Sequence, residues 1–182
     1  MIEARATGLP DVLILETPVY GDGRGSFLEC YNERDFRHAT GISATFVQDN
    51  YSESLKHVVR GLHYQVERPQ GKLVRVLSGE IYDVMVDVRA SSVTRGQWHG
   101  ERLSGASGRM LWIPPGYAHG FLVLSQTAGV FYKTTEYWAP ELERSVRWDD
   151  PDLAIDWPSA GTPLLSAKDA RAPRFRDAEP IA

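Results

Sequence analysis

The chain has 182 residues, a formal net charge of −4 at pH 7, 42% hydrophobic residues and 24% charged residues. Those values suit one globular domain with a sizeable core; they exclude a disordered chain and the basic footprint of a nucleic-acid-binding protein. Cys30 is the single cysteine, which excludes an intrachain disulfide and a C-x-x-C metal site, and it reads as a small buried apolar residue. The N-terminal residues carry no charged-then-apolar signal pattern, and the apolar run Val12–Leu15 is too short to cross a bilayer. A cytoplasmic protein with no membrane partner is expected.

In chain order, Glu33–Ala39 is the best short helix candidate. Val59–Gln65 reads as a strand on which His63 shares a face with Gly61 and Gln65, opposite Arg60, Leu62 and Tyr64. Leu73–Leu77, a turn at Ser78–Gly79–Glu80 and Ile81–Val88 are expected to form a hairpin. Within it Tyr82, Val84, Val86 and Val88 alternate with Ile81, Asp83, Met85 and Asp87. Trp98–Leu103, Arg109–Ile113, Gly120–Leu124 and Gly129–Thr135 add further strands between Gly/Ser-rich turns. Beyond Pro140 the strand pattern fades into Pro- and Asp-rich coil, with Leu142–Val146 and Leu165–Ala170 as short helical turns. Many short strands with regular turns predict an antiparallel sandwich or barrel.

Residues 108–123, GRMLWIPPGYAHGFLV, narrow this further. An apolar strand at Met110–Ile113 meets a turn forced by Pro114–Pro115–Gly116, and a second strand carries His119 inward. Gly108, Pro114, Gly116 and His119 fit the second motif of the cupin β-barrels, which this chain leaves at Val123. The first cupin motif, H-x-H followed by Glu, here reads His63, Tyr64, Gln65, with Pro69 and Gln70 where the Glu would stand. Two of the usual metal ligands are missing, and Gln65 is a poor replacement for imidazole. A pocket that has lost its metal is therefore expected.

Six strings follow one another at matching spacing: RGLHYQ (60–65), PQGKLVRVLSGEIYDVMVDVR (69–89), LWIPPGYAHGFLVLS (111–125), YKTTEYWAPE (132–141), RWDDPDLAIDWP (147–158) and LSAKDA (165–170). From about Leu15 to Ala170 the chain resembles the dTDP-4-dehydrorhamnose 3,5-epimerases, which invert two carbons of a nucleotide-linked keto sugar. The resemblance implies an all-β fold, a double-stranded β-helix (cupin jelly roll) with short helical segments near the N- and C-terminal ends. It implies one domain over residues 1–182, with a barrel core at about 45–138, an N-terminal strand arm and a C-terminal coil and helix extension.

The same resemblance implies a reaction that needs no cofactor, and it implies roles. His63 matches the base that removes a proton alpha to the C4 ketone, and a group of near-neutral pKa suits that task. Asp169 matches the partner of its other ring nitrogen. Lys72 matches a cation beside the developing enolate oxygen. Tyr132 matches the acid on the opposite face of the sugar. His119 and Asp83 complete a polar floor. Arg24, Glu29, Gln48, Asp49, Asn50, Arg60, Glu143 and Lys168 match contacts to the nucleotide-sugar, whose diphosphate favours Arg and Lys with amides nearby. The implied assembly is a homodimer in which the N-terminal arm, with Arg24 and Glu29, reaches the neighbouring subunit's pocket. Ser26, Tyr51 and Gly71 depart from the family's familiar residues, which bears on the sugar and base preferred. A dTDP-linked 4-keto-6-deoxyhexose inverted at C3 and C5 is the expected substrate. Open alternatives are a C3-only or C5-only epimerase, a metal-dependent cupin using His63, His119 and Gln65, and a nucleotide-sugar-binding module without catalysis.

Overall fold

A computed structural model of the chain describes residues 2–158 and 161–182. Two antiparallel sheets face each other. The first runs β1 (Glu3–Ala6), β2 (Leu13–Glu16), β10 (Arg109–Ile113), β7 (Lys72–Ser78), β12 (Thr127–Thr134), β5 (Gln48–Leu55). The second runs β13 (Glu143–Ser145), β6 (Val59–Gln65), β11 (Tyr117–Val123), β8 (Glu80–Asp87), β9 (Trp98–Ser104). This is the expected double-stranded β-helix. A small hairpin of β3 (Tyr20–Asp22) and β4 (Gly25–Phe27) stands apart from both sheets.

Period-two alternation builds three apolar layers. Val74, Val76, Ile81, Met85, Phe121 and Val130 meet between the sheets. On the outer face of the second sheet Val84, Val86 and Val88 pack under Leu153 and Ile181 of the C-terminal coil. On the outer face of the first sheet Leu73, Met110 and Trp112 pack under Phe36. Phe36 lies on α1 (Glu33–Thr40), the helix expected at 33–39. The Asn32 side chain caps its start by accepting from the Asp35 N–H, and Gly41 ends it.

Several expectations are corrected. The segments 73–77 and 81–88 do not form a hairpin: β7 pairs with β10 and β12, whereas β8 pairs with β9 and β11. Gly79, at φ 74, turns the chain from one sheet into the other, so Val74 and Val76 face Ile81 and Met85 across the core. Alternation reports which face is buried and is silent on the partner strand. Within the 142–146 segment, Glu143–Ser145 form strand β13 against β6 rather than a helical turn. A 3-10 turn does end the 165–170 segment, at Asp169–Arg171. Strands outside 45–138 complete both sheets, since β2 pairs with β10 and β13 with β6. Cys30 is exposed; it follows the β3–β4 arm, which no core layer covers.

Candidate active site

Where the facing strands carry polar residues instead of valines, the space between the sheets opens into a cavity of about 570 Å³. Lys72 of β7 and Tyr132 of β12 enter it from the first sheet, with Gln48, Asn50 and Ser52 along β5. Arg60 and His63 of β6 and His119 of β11 enter from the second. Glu143, Lys168 and Asp169 close one side, and Trp138 lies at the rim.

One local irregularity aims the β6 residues. His63 pairs with His119, but Arg60 pairs with Phe121, so β6 spends one residue more than β11 between these partners. A bulge of this kind flips the side-chain parity. Arg60, expected on the face opposite His63, therefore lines the same cavity, where its Nε donates to the Ser54 hydroxyl at 2.9 Å. Gly61 makes the bulge possible. It sits at φ 115, and a Cβ there would fall 2.5 Å from the Gly120 Cα and 2.7 Å from the His119 carbonyl oxygen. Only glycine fits so close an approach.

Asp169 lies 106 residues beyond His63 in sequence and 2.6 Å from its Nε2. The segment that delivers it adds a parallel bridge, Val58 to Leu164, beside β6. Its Leu164 N–H donates to the His57 carbonyl, and its Leu164 carbonyl accepts from the Val59 N–H. Burial pushes the Asp169 carboxyl up, but hydrogen bonds from His63, Ser166 and the Gly61 backbone outweigh it and hold the pKa below the ordinary value. An ionised carboxylate only accepts, so His63 Nε2 carries the proton and Nδ1 is left as the basic atom.

His119 is buried, its Nε2 3.0 and 2.9 Å from the two oxygens of fully buried Asp83. Lys72 is also buried, and its Nζ donates to the His63 carbonyl at 3.5 Å. Burial draws its pKa down to about 8, against the charges of Glu143 and Asp83, which favour the ammonium. Burial raises the Tyr132 phenol above its ordinary value, with Glu143 adding and Arg60 opposing. Glu143 and Lys168 form an ion pair across the mouth.

Two sets of expected residues are not brought to this cavity. Asp49 lies on the outer face of β5, between the inward Gln48 and Asn50, and accepts from Lys133 Nζ at 2.7 Å. Arg24 and Glu29 sit on and beside the hairpin arm, lining other hollows. The third donor of the metal-binding alternative is committed elsewhere: Gln65 bonds only to backbone groups, of Arg68, Tyr137 and Ala139. Among the described residues no group of three or more His, Cys, Asp or Glu could hold a metal ion. Sequence reasoning missed Trp138 and Ser52. A tryptophan between Tyr137 and Ala139, shortly after a strand and before Pro140, is the one available hint for the first.

The sequence model of the dTDP-4-dehydrorhamnose 3,5-epimerase family matches residues 6–177. A dTDP-4-dehydrorhamnose 3,5-epimerase of Pseudomonas aeruginosa is 53% identical over 178 residues, covering 98% of this chain and 98% of its own. The crystal structure of a dTDP-6-deoxy-D-glucose-3,5-epimerase from Legionella pneumophila, in complex with dTDP-4-keto-L-rhamnose, is 48% identical and covers 97% of this chain and 94% of its own, with a TM-score of 0.94. A 3′-monoepimerase from Streptomyces bikiniensis, in complex with dTDP-quinovose, is 32% identical and covers 93% of this chain and 86% of its own, with a TM-score of 0.88.

Proposed function

We propose, from the premise that this chain belongs to the dTDP-4-dehydrorhamnose 3,5-epimerase family, that it inverts C3 and C5 of dTDP-4-keto-6-deoxy-D-glucose to give dTDP-4-keto-L-rhamnose. It is an isomerase. The observation that carries the catalytic assignment is that His63 and Tyr132 stand on facing sheets of one cavity.

The Nδ1 of His63 takes the proton alpha to the C4 ketone, and Asp169 stabilises the imidazolium that forms. The electron pair moves onto the ketone oxygen, where the Lys72 ammonium meets the negative charge in a site that shields it from water. The Tyr132 phenol, kept protonated by its burial, delivers a proton to the other face of the planar enolate. Once His63 has released its proton to solvent and the Tyr132 phenolate has taken one up, the same transfer at the second carbon completes the reaction. Proton transfer in this form moves no electrons to or from the substrate, so no redox cofactor is needed.

Arg60 and Lys168 supply positive charge for the diphosphate, with the Gln48 and Asn50 amides beside them. Trp138 offers an exposed aromatic face at the rim, suited to stacking a planar base. We assign Arg24 and Glu29 to the cavity of a second copy of the chain, which the separate hairpin arm would reach. Relatives that are 3,5-epimerases at 53% and 48% identity favour double inversion over the single inversion of the 32% identical monoepimerase. The test is proton NMR in deuterated water with dTDP-4-keto-6-deoxyglucose. Solvent deuterium is expected at both C3 and C5 with both centres inverted. Label at one carbon alone would replace this reading with a single-site epimerase, and no exchange would leave a nucleotide-sugar-binding protein.

A further inference from the structure

Gln65 ends β6, two residues after His63, and is 2% exposed. Both ends of its amide are bonded, and every partner is backbone. The Nε2 donates to the Arg68 carbonyl at 2.9 Å and the Tyr137 carbonyl at 3.3 Å, while the Oε1 accepts from the Ala139 N–H at 2.8 Å. Two of these three partners flank Trp138. The Trp138 N–H itself donates to Gln48 Oε1 at 3.0 Å. The stretch 136–139 lies between β12 and β13 and has no strand partner, so side-chain amides take the place of a ladder. Trp138 is 55% exposed, and no aromatic ring among the described residues packs on it.

A buried amide with three backbone bonds holds a loop that presents one exposed indole to the cavity rim. We propose that Gln65 is a positioning residue for nucleotide recognition, fixing the 137–139 backbone so that Trp138 is preorganised to stack the base. The inference rests on reading the cavity as a nucleotide-sugar site. The chemistry requires an amide: two carbonyls must be donated to and one N–H accepted from, which neither a carboxylate nor an aliphatic side chain can do. A loop already ordered loses less freedom when the base binds, and affinity rises accordingly.

The test is a double-mutant cycle read by calorimetric titration with dTDP and by steady-state kinetics. Gln65→Met keeps the volume and removes all three bonds. It is expected to raise the dTDP dissociation constant and KM by about tenfold with kcat within about twofold of the parent. In the Trp138→Ala background the same substitution should change dTDP affinity by less than about twofold, because the residue it acts through is gone. Gln65→Asn, which keeps the amide but draws it back by one methylene, should fall between parent and Gln65→Met, and it serves if the Met variant does not fold. An undiminished effect in the Trp138→Ala background, or a fall in kcat at constant KM, overturns the inference. Failure of the parent chain to bind dTDP at all would instead overturn the nucleotide-sugar reading beneath it.

Discussion

Tyr132 and His63 reach the substrate from opposite walls, so their contributions separate in experiment. Tyr132→Phe removes one proton and one oxygen while His63, Asp169 and Lys72 stay in place. His63 can still take a proton and return a solvent-derived one to the same face. Wash-in of deuterium should therefore persist while net epimerisation falls by about 10²-fold or more, the range for a lost general acid. Parallel loss of both would make Tyr132 a support for His63 rather than the donor. Lys72 carries a second prediction. Its pKa of about 8 means that the ammonium is present below that pH and lost above it, so kcat/KM should decline on the alkaline side of about pH 8. An arginine stays protonated across this range; Lys72→Arg should retain part of the activity and lose that alkaline limb. An unchanged limb in Lys72→Arg would assign it to another group. The sign for stability is opposite to that for activity. A lysine whose folded pKa is depressed binds fewer protons in the native state, so its burial cost is full below about pH 8 and relieved as pH rises toward the unfolded value.

At the scale of elements, the site depends on β6 and β11 approaching more closely than ordinary strands. Adding one methyl at Gly61 would strike the Gly120 Cα and the His119 carbonyl and force an L-residue to φ 115. Overpacking and a forbidden φ each cost about 1–3 kcal/mol. Gly61→Ala should thus lower the melting temperature by about 10 °C and uncouple His63 from Asp169. A variant of parental stability and activity would mean that β6 and β11 can separate without cost. This bulge also marks where reading the sequence stops. The strand Val59–Gln65 is correctly bounded by its composition, and the Pro-Pro-Gly turn correctly turns His119 inward. Yet one inserted residue reverses Arg60; Gly61 permits such a bulge, but the alternation of 59–65 does not show it, because the backbone it must approach is that of Gly120 on β11. The same holds for β7 and β8. Their alternating faces are plain in the sequence, whereas the choice of partner is made by core packing across the sandwich. Asp169 is the extreme case: a short KDA stretch in coil resembles any solvated turn, and only the family resemblance joined it to His63.

For the whole molecule, the outer surface of the first sheet and the arm beside it raise the question of a second chain. Tyr51, Leu55 and Leu77 are 57%, 64% and 47% exposed on that sheet, and Tyr20 and Phe27 are 64% and 71% exposed on the β3–β4 hairpin. Large apolar side chains so placed mark contact surfaces, and the hairpin carries Arg24 away from its own cavity. A homodimer is therefore expected, with light scattering giving twice the 20.4 kDa of one chain. Arm exchange has a sharper test than mass. Arg24→Ala and His63→Ala should each be impaired alone. If the arm serves the partner's cavity, a mixed dimer holds one cavity with an intact His63 from the first chain and an intact Arg24 from the second. Its other cavity lacks both. Mixing the two variants under exchanging conditions should then restore activity to about a quarter of the parent's, since half the dimers are mixed and each has one complete site. If Arg24 served its own chain, every cavity in the mixture would lack one residue and no activity would return. A fully active monomer would remove both the dimer and the shared cavity.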